Sequence, residues 1–401
     1  MSEFWNPLVP TNFDVDMSGV WTGATALPEA QQIPQISAIP RWTSAYSRVL
    51  ALEREYAKEC HDVQSMDNDL RVMHIRVIGW SYVHATGTTW RDSLKEWVDS
   101  CEDSDTVVDL GRHLCQFFLR PFRKSKGSTP ADSTPPSRSS FDRRVAAISR
   151  GLVPTPANYS EAKRRAHERD NDQCVFTKKF AFSSPLYDFG TKEETVQGIL
   201  TGALTLPKRN TLEGLLRAPR SAQPCSLECA HILSELTESK SDTNGHKTGW
   251  ATTLWGILEY FGQGNLLHEL KGPKVHRLEN IISMSHDFHD RFDSLSLWLE
   301  PVAGQEQQYR IRGPMEYTLA IGVYSEDGTV KFTTPDERLY PLPSPQYIAL
   351  HAAACKIACM SGAADHFEKI DRALNEDGVL AEDGHQMYVL ADRLQRVMTV
   401  R

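Results

Sequence analysis

The stretch ENIISMSHDFHDRFD (279–293) decides the reading of this chain, together with CAHIL (229–233) upstream. Ser285 is placed to cap a helix over the residues that follow. Within that helix His289 and Asp293 stand four apart, so they share a face. Phe288, Phe292 and Leu295 fall on a separate arc. The helix is therefore expected to pack one face and to offer an imidazole and a carboxylate on another. Nitrogen and oxygen donors converging in this way make a half-site for a divalent cation. Asn280 precedes the pair at spacing N-x8-H-x3-D, and His231 lies in the apolar CAHIL run.

Composition bounds the rest. With 401 residues the chain is one large domain or two to three modest ones. A 40% hydrophobic and 24% charged composition is ordinary for a chain that buries a sizeable core. Lys and Arg number 44 against 52 Asp and Glu, for a net charge of −8. That balance argues against a protein that coats nucleic acid through bulk positive charge. No apolar run reaches the roughly 18 residues of a membrane helix, so no membrane partner is expected. The opening MSEFWNPLVPTNFD lacks a basic segment followed by an apolar one, so secretion is not expected. The eight cysteines then read as reduced thiols of an intracellular protein, cytoplasmic or nuclear.

One low-complexity segment, RKSKGSTPADSTPPSRSS (123–140), is rich in Ser, Pro and Thr and holds no large apolar side chain. It reads as a basic linker over 123–142, separating a helical N-terminal region (1–122) from the remainder. In the N-terminal region Trp42, Tyr46, Val49, Leu50 and Leu52 give an imperfect helical stripe, whereas LRVMHIRVIGWSYV (70–83) is ambiguous between helix and strand. His74, His84 and His113 sit among apolar residues and read as structural. After the linker, YSEAKRRAHERD (159–170) suggests a helix capped by Ser160, and CVFT (174–177) a short strand. WLEPV, YRIRG and TLAIGVYSEDGTVKFTT (318–334) suggest strands, the last with an Asp-Gly turn. LHAAACKIACMSGAADHFEKI (350–370) is helical by composition, approached by a rigid run through Pro341, Pro343 and Pro345.

A strand-borne His, an Asn at the start of the next strand, and a His with a further donor on a helix resemble the HNH endonucleases. The chain looks most like a fungal, basidiomycete-type branch whose motif runs RD-x3-C-x2-T, AHI, N-x8-H-x2-FD. Here those pieces are Arg169-Asp170, Cys174, Thr177, Ala230-His231-Ile232, Asn280, His289 and Phe292-Asp293. The resemblance implies an α+β fold: a ββα-metal finger core within 143–310, a helical N-terminal region, and a strand-and-helix C-terminal extension (311–401) packed on the core. It implies a metal-dependent hydrolase of phosphodiester bonds, acting on DNA ahead of RNA. His231 would be the general base, since an imidazole of ordinary pKa near 6.5 takes a proton from water near neutrality. Asn280 would orient His231. His289 and Asp293 would hold one divalent metal ion, Mg2+ or Mn2+ ahead of Zn2+. Two departures stand out: Ala230 occupies the place where many HNH enzymes carry a further ligand, and Lys178 the place where Gly often follows the Thr. Glu228 and Cys229 are nearby substitutes with no assigned place. A catalytically silent HNH-derived module binding nucleic acid or a protein is the competing reading.

Several neighbours of the motif have plainer readings. His286 and Asp290 form a rival pair on the same helix, but the Asn spacing favours His289. Asp290 reads as solvated surface and Arg291 as surface or a phosphate contact. The pairs Cys225/Cys229 and Cys355/Cys359 have x3 spacing, unlike a zinc ribbon, and read as buried thiols on helix faces.

Overall fold

Residues 70–83 carry apolar side chains around most of their circumference, which blurs their period. In the computed structural model they lie in a helix, α2 (Met66–His84), that follows α1 (Pro40–Asp62). Ile75, Val77, Ile78, Trp80 and Tyr82 are all buried, and a helix apolar around most of its circumference is one enclosed around most of it. The other long helices of the N-terminal layer are α3 (Thr88–Ser100) and α4 (Ser104–Leu114). Gly111 lets α4 close on α2, because a Cβ there would stand 2.0 Å from the His74 carbonyl oxygen. The imidazoles of this layer are packing groups. His84 stacks on Trp80 with centroids 5.6 Å apart, and burial lowers the pKa of His74 to about 3. The structure describes residues 24–62, 66–123, 156, 158–182, 184, 201, 224–233, 254–313, 325 and 327–376. Apart from Arg123, the expected linker lies outside them.

The remainder is mixed helix and sheet, as the α+β expectation requires. After α5 (Tyr159–Arg169), strand β1 (Leu227–His231) is followed by α6 (Leu254–Tyr260) and α7 (Asn265–Leu270). Strand β2 (Ile281–Ser285) pairs antiparallel with β1, setting His231 opposite Ile281 and Glu228 opposite Met284. It runs directly into α8 (His286–Asp293). Ser285 holds the N-cap position of α8 as expected, although its side chain makes no capping bond. Leu295 falls beyond the helix, in the left-handed region at φ 63°, yet remains fully buried. A second sheet joins β3 (Trp298–Pro301), β4 (Gln308–Arg312) and β5 (Thr329–Lys331) in that order, all antiparallel. Asp327-Gly328 precedes β5, with Gly328 at φ 68° as a turn glycine requires. The expected strand residues 318–324 lie outside the described ones.

The Ala-rich C-terminal stretch forms two helices, α9 (Pro345–Ser361) and α10 (Ala363–Glu376), broken at Gly362 with φ 89°. Pro345 stands in the first turn of α9, where its missing N–H costs nothing. Helix α9 is buried along its length because it packs on α2, on β3 and on α10 together. One core therefore runs from Leu27 to Phe367. Arg123 fastens the end of the N-terminal layer to it, reaching Asp371 and Glu368 at 2.7 Å each and the Ser294 carbonyl at 3.1 Å. No single helix among the described residues is long and apolar enough to cross a membrane.

Candidate functional site

The site is built where α5, β1, β2 and α8 meet. Helix α5 starts two residues earlier than the expected cap implies. Asn158, not Ser160, is the cap, its Oδ1 accepting from the Glu161 amide at 2.9 Å. At the other end the Arg169-Asp170 pair is a structural clamp. Both side chains are enclosed and bonded to each other, and Arg169 also donates to the carbonyls of Leu278, Ile281 and Pro341. It thus fixes the chain entering β2. CVFT forms no strand; it is a tight turn in which the Cys174 amide donates to Lys179 and the Lys178 amide to Cys174. The Thr177 amide points at Cys174 Sγ, 3.5 Å away. Lys178 holds φ 54°, so the left-handed backbone that favours glycine persists although the residue is lysine. The turn then ties to the site: the Val175 amide donates to Ser283, and Phe176 stacks on Phe288 at 4.8 Å. Cys225 and Cys229 are buried thiols as expected, but on extended chain rather than a helix face.

Asn280 is fully buried and spends its amide on structure. Its Oδ1 accepts from the Leu233 amide at 2.9 Å, and its Nδ2 donates to Leu233 O at 2.8 Å and Val275 O at 3.0 Å. Its own carbonyl accepts from Ile232. The chain just after His231 and the chain just before His276 are therefore held together by one side chain.

Helix α8 packs as its pattern dictates. Phe288 and Phe292 are buried, and Phe292 stacks on His351 of α9 at 3.7 Å. His289 and Asp293 lie together on another face, with Nε2 and Oδ2 3.1 Å apart. Asp290 is exposed. Strand alternation turns Glu228 and the enclosed Ala230 to the same side of β1. Glu228 reaches α8: His289 Nδ1 donates to its Oε2 at 2.5 Å, and the more exposed His286 donates from Nδ1 to Oε1 at 3.0 Å. Burial works against the ionised carboxyl of Glu228, but these two hydrogen bonds outweigh it and hold its pKa below the ordinary range.

This donor set fits a divalent cation in one specific way. A histidine that ligates a metal ordinarily gives its other ring N–H to a carboxylate, which fixes tautomer and orientation. Glu228 would be that carboxylate. With Nδ1–H donated to Glu228, His289 Nε2 faces the Asp293 carboxylate at 3.1 Å, so a proton or a cation between them would serve both. His289 Nε2 and Asp293 would thus be the two side-chain ligands, with Glu228 behind them. Among the described residues no set of three His, Cys, Asp or Glu side chains is arranged to hold a metal ion, so water and substrate oxygens would complete the coordination.

His231 is half-buried at the end of β1, and its Nε2 lies 3.1 Å from Nδ1 of His276. Tyr159 borders both rings, at 5.5 and 6.2 Å, and its hydroxyl donates to the Cys229 carbonyl at 3.0 Å. Burial raises the Tyr159 pKa, and Glu228 and Asp293 are close enough to raise it further. The structure unites His289, Asp293 and Glu228 in one group, His231 and His276 in another, and braces the second with Asn280. Sequence reasoning had no place for His276 or Tyr159, which belong to no recognisable spacing. Comparison of the chain with family models, characterised proteins and solved structures finds no match to any of them.

Proposed function

We propose that this chain is a metal-dependent endonuclease of HNH type that hydrolyses phosphodiester bonds, in DNA ahead of RNA. The observation that carries this reading is His289 held between the Glu228 and Asp293 carboxylates on the helix that directly follows a two-stranded antiparallel ribbon bearing His231. A bound divalent ion, Mg2+ or Mn2+ ahead of Zn2+, would supply charge stabilisation for the phosphate and for the leaving 3′-oxygen. Glu228 sets the tautomer of His289 so that its Nε2 and the Asp293 carboxylate face one point. His231 removes a proton from the attacking water, and Tyr159 shields one side of that imidazole. Asn280 touches no reactant; it fixes the backbone on which His231 is carried. The competing reading, a silent binding module, draws on the enclosed Ala230 and on the two-ligand site, which weakens the hold on metal. Plasmid nicking with Mg2+, Mn2+, Zn2+ or EDTA, run beside His231→Ala, decides between them. Metal-dependent nicking lost in the variant supports the nuclease, and no nicking with any metal supports the silent module.

A further inference from the structure

The His231–His276 pair goes unused in the motif, and it has a chemical consequence. We infer that His276 is a positioning residue for His231, fixing the tautomer in which His231 can act as a base. The inference rests on the nuclease reading for its purpose, but not for its test. Two imidazole nitrogens 3.1 Å apart share one proton, so one ring donates and the other accepts. If His276 Nδ1 donated, His231 would accept at Nε2 and carry its own proton on Nδ1. It would then have no lone pair left for water. A basic His231 therefore requires the opposite sense, in which His231 Nε2–H donates to the Nδ1 lone pair of His276 and His231 Nδ1 takes the proton.

The surroundings hold this pair in register. Asn280 bonds both to Leu233, two residues after His231, and to Val275, one residue before His276. The Tyr159 ring lies against both imidazoles, and its hydroxyl is spent on the Cys229 carbonyl. The proton balance is simple. An O–H bond of water breaks and an N–H bond forms at His231 Nδ1. The resulting imidazolium is stabilised because its Nε2–H already points at the neutral acceptor His276. The hydroxide formed attacks phosphorus, the P–O bond to the leaving oxygen breaks, that oxygen takes a proton from solvent, and His231 returns its own proton to solvent.

The test uses the full chain in three forms: wild type, His276→Ala and His276→Asn. An asparagine carbonyl can accept from His231 Nε2–H but cannot take a proton, so it rescues positioning alone. Nitrogen-detected NMR of the histidine rings reads the His231 tautomer directly, whether or not the protein cleaves DNA. The expected result is an Nε2–H tautomer in wild type, a mixture in His276→Ala, and recovery of the Nε2–H form in His276→Asn. In the nicking assay His276→Ala is expected to lower the turnover rate about 10- to 100-fold with little change in KM, and His276→Asn to recover most of it. An Nδ1–H tautomer in wild type, or one unchanged by His276→Ala in a folded protein, overturns the inference. If no form nicks DNA while the NMR pattern is as expected, the pairing stands and the nuclease reading alone fails.

Discussion

At the scale of single residues, the nuclease reading separates groups that would meet reactants from groups that would hold others in place. His231→Ala is expected to cut strand cleavage by about 10²–10⁴ while leaving metal affinity nearly unchanged, since on that reading His231 acts as base and not as ligand. Residual cleavage should rise with pH as hydroxide replaces the lost base. Asn280→Ala should also lose cleavage but show no such rescue, because it releases the chain around Leu233 and Val275 rather than removing the base. A matched pair of pH–rate profiles distinguishes the two. The double variant His289→Ala/Asp293→Ala should bind divalent metal far more weakly than wild type by calorimetry. Equal affinity would remove the metal assignment. Glu228→Gln should cost about 10- to 100-fold in that affinity, as loss of the carboxylate behind a metal-bound imidazole does. That His289 and Asp293 share a face could be read from their spacing, because i,i+4 residues on a helix share a face whatever surrounds them. The place of Glu228 could not. Which side of β1 it faces follows from strand alternation, but whether α8 lies on that side is a matter of packing.

At the scale of elements, helix α8 is held from two directions. Phe288 stacks on Phe176 of the 174–179 turn, and Phe292 stacks on His351 of α9. Phe292→Ala should therefore destabilise the fold by about 3–5 kcal/mol in urea unfolding, as buried aromatic truncations do, whereas His289→Ala should cost little. A Phe292→Ala cost below about 1 kcal/mol would mean that α8 does not depend on this packing. The apolar arc of α8 was legible because its period matches a short amphipathic helix. CVFT was misread for a physical reason. Three residues of high β-propensity, Val175, Phe176 and Thr177, are too few to override a turn closed by Cys174 and Lys179 and tied to Ser283. Helix α2 is ambiguous for the opposite reason, since a helix buried over most of its circumference keeps too few polar positions to reveal its period.

At the scale of the whole molecule, buried polar groups couple distant segments and leave a pH signature. Burial disfavours the charged form of His167, but Asp172, 3.1 Å from its Nδ1, and the nearby Cys229 outweigh this and raise its pKa to about 9. A raised folded pKa means that the contribution is complete below the ordinary value of about 6.5 and is lost as pH climbs toward about 9. Unfolding stability should accordingly fall over that window, with a slope of at most about 1.4 kcal/mol per pH unit from this group. Asp172→Asn should flatten the slope, and an unchanged slope would remove His167 as its source. Thiol labelling offers an independent check on the core. Seven of the eight cysteines are buried and Cys60 is partly exposed, so a thiol reagent should modify Cys60 first and the others only after denaturation. The sequence by itself determined what depends on local period and composition: the α+β content, the α8 donor pair, the Asp-Gly turn before β5 and the buried state of the cysteine pairs. Only the tertiary structure decided that α9 inserts between α2 and β3, that Glu228 stands behind His289, and that His276 meets His231. These are contacts between residues far apart in the chain, fixed by how enclosed faces fit together, and no local pattern of side chains encodes which face meets which.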